Sequence, residues 1–483
     1  MSLASIDSLP AAPSESLLGH VHRLRHDRFQ FMREIGQTGP LVRVRFLHRT
    51  VLFVNTPELA HQVLIEHAAS TEKTPLMRLI LHDVAGDGLF TSEGALWKRQ
   101  RRLMAPLFQP AQLASYTRTI NAEARRALDR FADGAQIDLA HEAIRIAMSV
   151  VGSTLFGADT FNQAEDLSEA LTTLLDWINT HIDSPLTAVQ LTLLGVCGHL
   201  RGHVPRQLEK LRSQTEDFLR DPVLLPGRNS AKMRRAMRIL DQSIHAMIRE
   251  RRAHPTSSRD LLSRLLLARD VETGSSADGM SDVQVRDEAA TLFVAGNETT
   301  ATALAWCFYL LAKNPEARAR VQAEADAFGP DGPTQAEPQA LAYTTRVFKE
   351  ALRLYPPILI LTRRTLKPIE LAGYALPIYT NLFVCPYTIH RQPELWPDPE
   401  RFDPDRFLPE REAKRPRSAW LPFGAGPRVC IGGYFALLEG PIILATLMRR
   451  ARFEIDPHRV IEPESFSTPR PAGGVPAVVR FVR

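Results

Sequence analysis

Four cysteines in 483 residues, at positions 197, 307, 385 and 430, are too few and too scattered for a disulfide scaffold, and no CxxC pair offers a zinc ribbon or a redox dithiol. A reducing compartment is expected. No run of about 18 uncharged apolar residues occurs, so no membrane-spanning helix is predicted. The opening MSLASIDSLPAAPSESLLGH lacks both a charged start and an apolar core, and a cytoplasmic protein without a membrane anchor is expected. An excess of one charge sign is also missing: 59 Lys plus Arg stand against 54 Asp plus Glu, which gives no reason to expect a nucleic acid partner. Neither 26 Gly nor 35 Pro approaches collagen or low-complexity levels, and no internal repeat is seen. What remains is an ordinary globular composition, 44% hydrophobic and 23% charged. Length alone would allow about three domains, although single catalytic units also reach this size.

The polar first forty residues, punctuated by Pro and Gly, read as a lead-in, after which LVRVRF and TVLFV read as two paired strands. From Pro57 to about Pro315 the pattern is mainly helical. A further helix is predicted to end at Leu354, because Pro356 and Pro357 push the preceding residues out of the α region. Residues 386–427 carry nine prolines with interleaved aromatics, which predicts an irregular packed loop. A last helix, roughly Tyr434 to Arg450, precedes a C-terminal hairpin.

The segment Phe423-Gly424-Ala425-Gly426-Pro427-Arg428-Val429-Cys430-Ile431-Gly432 places one cysteine just before that helix. A helix N-terminus lowers a thiol pKa through its unpaired N–H groups, so Cys430 is expected to exist as a thiolate, fit to be a nucleophile or a metal ligand. Gly424, Gly426 and Gly432 would let backbone pass close to a flat cofactor. An isolated cysteine is more often a small buried apolar residue. Here the whole pattern, FGxGxRxCxG, resembles the heme-ligand loop of the cytochrome P450 family of heme-thiolate monooxygenases.

That resemblance implies that Cys430 is the axial ligand of a heme b iron, that Phe423 packs beside the porphyrin, and that Arg428 pairs with a propionate. Three further stretches carry it. Ala295-Gly296-Asn297-Glu298-Thr299-Thr300 lies inside a helical pattern from Ser281, which with Gln284 can form a capping box, to Asn314. These roughly 34 residues would span about 50 Å. In the family this helix crosses the heme, with Ala295 and Gly296 against the cofactor and Glu298 and Thr299 as the acid and alcohol that deliver protons during oxygen activation. Glu350 and Arg353 stand at i and i+3 on one helix face, and the resemblance joins them to Arg406 in a buried structural network. Trp97 and Arg101 lie one helical turn apart; family members aim both at a propionate, and Arg363 is a further propionate candidate beside the adjacent Arg364.

The resemblance covers nearly the whole chain and implies a mainly α fold with small β-sheets (α+β): a single large heme-binding domain over residues 41–483, with 1–40 as lead-in. The implied reaction inserts one oxygen atom from O2 into a hydrophobic small molecule such as a terpenoid, steroid or fatty acid. Electrons would come from NAD(P)H through a separate ferredoxin or flavodoxin with its reductase, since no cluster-type cysteine spacing exists in the chain; a monomer is expected. Lys98, Arg99, Arg102, Arg415 and Arg417 are candidates for a basic rim that steers an acidic donor. Substrate contacts by family position are residues 75–89, parts of 175–225, Phe293, Ala295, the apolar run Ile358, Leu359 and Ile360, and the turn at 467–471. The rival readings are a heme-thiolate isomerase, dehydratase or peroxygenase that needs no electron donor, and a non-catalytic heme sensor.

Overall fold

The computed structural model describes residues 3–482 except 14–15, 17–18, 47–48, 158–163, most of 183–229, 255–259, 268–279, most of 329–339, and 465–467. The two stretches read as strands pair antiparallel as β2 (Leu41–Phe46) and β3 (Arg49–Val54), with Val44 opposite Val51. They open a five-stranded sheet of order β2-β3-β9-β6-β4, completed by β4 (Thr71–Glu72), β6 (Leu361–Thr365) and β9 (Asn381–Val384). A second sheet joins β1 (Ala4–Ser5) to β8 (Tyr374–Leu376) and β7 (Ile369–Leu371). In the third, β11 (Pro476–Phe481) lies between β10 (Ala451–Glu454) and β5 (Gln136–Asp138).

Within the stretch 1–40, expected as a lead-in, residues 28–38 pack against the five-stranded sheet. Helix α1 (Arg28–Thr38) buries Phe31, Met32 and Ile35 completely, in one cluster with Val44 and Phe53 of the five-stranded sheet. Each such side chain contributes about 2 kcal/mol when withdrawn from water.

The helical body holds the site. Its elements are α2 (Pro75–Ala85), α3 (Gly94–Met104), α4 (Thr117–Leu128), α5 (Leu139–Leu155), α6 (Ala164–Ile182), α7 (Ser230–Ala253), α8 (Asp282–Lys313), α9 (Ala342–Leu354) and α10 (Gly433–Arg450). Helix α8 starts where the sequence puts it: Ser281 accepts from Gln284 N while the Gln284 side chain accepts from Ser281 N, a complete capping box. It stops at Asn314, because Pro315 opens the next helix. Helix α5 packs closely along α8; a Cβ on Gly296 would come 3.1 Å from Val151 Cγ2. Helix α10 approaches α9 closely enough that a Cβ on Gly440 would sit 2.3 Å from the Phe348 ring. Among the described residues, no helix is long and apolar enough to cross a membrane.

Candidate cofactor and catalytic site

The cysteine loop is an anchored turn. Cys430 N donates to Phe423 O at 2.8 Å, Val429 N to Gly426 O at 3.0 Å, and Leu421 N to His390 Nε2 at 2.8 Å. Gly424 and Gly426 have φ of +70° and +73°, which L side chains rarely adopt, and a Cβ on Gly426 would meet Leu64 O at 2.1 Å. Gly426 thus lets the loop lie close against the Leu64 carbonyl. Gly432 has no such constraint, with φ −86°. Phe423 packs edge-on against Trp420 and next to Gly433.

Cys430 itself is exposed. One expectation needs correction: the thiol pKa is raised, not lowered. Helix α10 begins at Gly433, three residues on, and the density of protein around the sulfur pushes its pKa up; the Gly432 N–H and the Arg101 charge pull the other way without prevailing. Coordination to a metal would remove the proton outright.

Beside the loop lies a cradle of cations. Arg428 stacks on the Trp97 indole at 4.3 Å and pairs with Glu93, while its Nη1 is buried without a partner among the described residues. Arg363 is buried, with Nη1 donating to Thr362 O at 2.8 Å; burial first, then the Arg428 charge, lower its pKa to about 10, with Glu93 opposing. Arg364, the competing candidate, turns away to Glu72 and the Tyr379 ring. Lys73, unmarked by any motif, belongs to the same cluster: burial lowers it to about 7, Glu93 raises it, and Arg428, Arg363 and Arg78 lower it. Three largely buried cations therefore face the Glu93 carboxylate, and a group bearing two further carboxylates, as heme does, fits that imbalance. Of Trp97 and Arg101, Trp97 lies under Arg428, and the Arg101 and Cys430 charges act on each other.

The cradle is joined to α8 through residues 86–92. Lys73 Nζ donates to Leu89 O, Phe90 O and Ser92 O at 3.0, 2.8 and 3.0 Å. Asp87 N and Leu89 N donate to Asp287 and Glu288 of α8 at 2.9 and 3.0 Å. Further along α8, Ala295 is exposed and Gly296 and Thr299 are half-buried. Thr299 Oγ1 donates to Ala295 O at 2.9 Å, the local competition that weakens a helix.

Glu298 is buried, and its Oε1 accepts from Arg470 Nε at 2.6 Å. Arg470 also donates to Asp176 of α6 at 3.2 Å, so α6, α8 and the C-terminal segment meet at one guanidinium. Burial pushes the Glu298 carboxyl up; Arg470 and the Thr468 hydroxyl resist. Behind it, Thr300 Oγ1 donates at 3.1 Å to Glu439 of α10, which burial raises to about 8. Glu439 was not identified from sequence, and Arg470 lay within the expected turn at 467–471 without being singled out.

Glu350 and Arg353 are fully buried and joined twice, at 2.7 and 2.8 Å. Arg353 Nη1 also donates to His390 O and Pro399 O, and Arg406 Nε lies 3.4 Å from Glu350 Oε1. Arg415, a candidate for the basic rim, instead stacks on Trp396 at 4.2 Å beside this network; Lys98, Arg102 and Arg417 are exposed and Arg99 half-buried.

Two expected substrate contacts are core residues. Phe293 is fully buried and stacks on Phe156 at 4.3 Å. It stands about 200° around the helix from Ala295, so the two cannot line one pocket. Leu359 is buried in the cluster with Phe31 and Phe53, and Ile360 packs against it. Ile358 is half-buried. Phe90, one residue beyond the expected 75–89 segment, is a large ring left 42% exposed. Most of the 175–225 candidate segment and residue 467 lie outside the described residues.

Comparison with known proteins supplies the family. The chain is 34% identical to cyclooctatin synthase of Streptomyces melanosporofaciens, over 92% of this chain and 90% of that one. It is 34% identical to cyclooctat-9-en-7-ol 5-monooxygenase of the same organism (92% and 88% covered) and 31% identical to pentalenene oxygenase of Streptomyces avermitilis (94% and 92%). The fold is similar to the crystal structure of the cytochrome P450DA heme domain, with a TM-score of 0.79, 23% identity, and 100% and 98% of the two chains covered. The family model described as cytochrome P450 matches residues 10–473. With that match lying over the anchored cysteine loop, the cation cradle and the long helix α8, the chain belongs to the cytochrome P450 family of heme-thiolate monooxygenases.

Proposed function

We propose that this enzyme oxygenates a terpenoid, with Cys430 as heme ligand and electrons supplied from NAD(P)H by a separate ferredoxin or flavodoxin. The observation that carries the reading is the pairing of an exposed cysteine on a fixed loop with a neighbouring cradle of excess buried positive charge. Similarity to a cyclooctatin synthase, a cyclooctat-9-en-7-ol 5-monooxygenase and a pentalenene oxygenase supports the substrate class.

Heme, when bound, supplies the activation of O2 and the transfer of one oxygen atom to the substrate. Arg428 Nη1, Arg363 and the Trp97 side of the cradle would hold its propionates, and a guanidinium suits a carboxylate because its donors form a fork. Thr299 holds a proton at Oγ1, one turn from the Ala295 carbonyl that now accepts it. Glu298, raised by burial, can take up and release a proton beside it, and Arg470 fixes its carboxyl. Ala295, Phe90 and Ile358 offer apolar surface that excludes water and favours a hydrocarbon skeleton.

The test is titration of the heme-loaded protein with cyclic terpene hydrocarbons and alcohols, then turnover with NADPH, a ferredoxin and its reductase. A low- to high-spin shift and an oxygenated product that requires the donor chain support the reading. Product formed without any electron donor would replace it with an isomerase or dehydratase.

A further inference from the structure

Glu93 lies outside every motif, yet it touches both Lys73 and Arg428 of the cradle. One carboxylate oxygen accepts the Lys73 backbone N–H at 2.9 Å and lies 3.9 Å from Lys73 Nζ; the other pairs with Arg428 Nη2. Lys73 Nζ has its three donors directed at Leu89, Phe90 and Ser92 carbonyls, so it offers charge, but no free N–H, to anything else. Arg428 is placed differently. Its face is fixed on Trp97, its Nη2 is fixed on Glu93, and its Nη1 is buried with no partner among the described residues. A planar guanidinium held at its face and at one nitrogen has a single setting, so the direction of Nη1 is imposed by the protein before any ligand meets it. The charges point the same way: Glu93 is the group that raises Lys73 and Arg363 against burial and mutual repulsion.

We propose that Glu93 is a positioning residue for the cofactor: it aims Arg428 Nη1 at a heme propionate, and as the carboxylate shared by Lys73, Arg363 and Arg428 it sets the charge felt at the cofactor's edge. This rests on the heme-thiolate reading above. The two parts separate chemically. Glu93→Gln keeps an acceptor for Nη2 and removes the charge, whereas Glu93→Ala removes both.

Two readouts need no substrate: the ferric/ferrous midpoint potential, and the rate of heme transfer to apomyoglobin. Loss of a nearby negative charge eases addition of an electron, so Glu93→Gln shifts the potential positive, with heme loss close to wild type. Glu93→Ala shows the same sign of shift and loses heme about tenfold faster, the size of one charged hydrogen bond. An unchanged potential in Glu93→Gln, or heme retention in Glu93→Ala equal to wild type, overturns the inference. Should Glu93→Ala fail to fold, the potential of Glu93→Gln decides alone. A wild-type protein that takes up no heme overturns the heme-thiolate reading and this inference together; a heme-loaded wild type with an indifferent Glu93→Gln overturns this inference only.

Discussion

Thr299 and Glu298 are neighbours in sequence with different partners. The threonine hydroxyl is bound within the helix to Ala295 O, while the glutamate is tied to Arg470, 172 residues away. Replacing the hydroxyl leaves the fold and the electron supply intact, so Thr299→Ala should keep consuming NADPH while product per NADPH falls about tenfold or more and peroxide rises in its place. Thr299→Ser should restore part of the coupling. Parallel assays of NADPH, peroxide and product check this, and unchanged coupling in the alanine variant would contradict the role. The partners of Lys73, Glu93 and Arg470 show why a sequence reading stops where it does. Motif spacing exposes contacts within a helical turn, such as Glu350 with Arg353, but Glu93 meets Arg428 across 335 residues and no local pattern marks the meeting. The pKa of Cys430, expected to be lowered by the helix end, is raised instead, because the surrounding protein outweighs the Gly432 N–H and the Arg101 charge.

Elements with local signals were the readable ones. The capping box at Ser281, the prolines after Leu354 and the alternation of LVRVRF all act through neighbouring residues, and the corresponding elements form there. The face each helix turns inward was less legible: Phe293 and Ala295 were assigned to one pocket although they lie about 200° apart. The stretch from Pro57 that reads as one helix changes to a π turn at Gln62–Glu66, whose Leu64 carbonyl meets Gly426 of the cysteine loop. Where α8 crosses α10, Thr300 donates to Glu439, whose carboxyl burial raises to about 8. This acid holds its proton in the folded state at pH values where the unfolded chain, with an ordinary carboxyl near 4.5, has released it. The folded state therefore binds more protons, and this group's contribution to stability falls as pH rises from about 4.5 to about 8. Urea denaturation at pH 5.5 and 7.5 should show that loss in the wild type and a smaller one in Glu439→Gln. Equal pH slopes in the two proteins would contradict a neutral Glu439.

At the scale of the whole molecule, the site depends on chain ends that meet its middle. Trp306 of α8 donates to Pro469 O at 2.6 Å and stacks on Tyr355, which seats the segment carrying Arg470. β11 near the C-terminus pairs with β5, directly before α5, and β1 pairs with β8. The candidate site is thus assembled from separate segments around residues 73, 93–101, 298, 363, 428–430 and 470. Composition pointed to a globular protein, and the cysteine loop with its three companion motifs named the fold and the enzyme class. The segments between them had to be joined by the structure. The central claim is that Cys430 provides a thiolate to heme iron, and the difference spectrum of the reduced protein with carbon monoxide tests it most directly. The wild type should show the long-wavelength band of thiolate ligation, and Cys430→Ser should lack it. A wild-type spectrum of histidine-ligated type, or a protein that stays colourless when heme is supplied, would contradict the account.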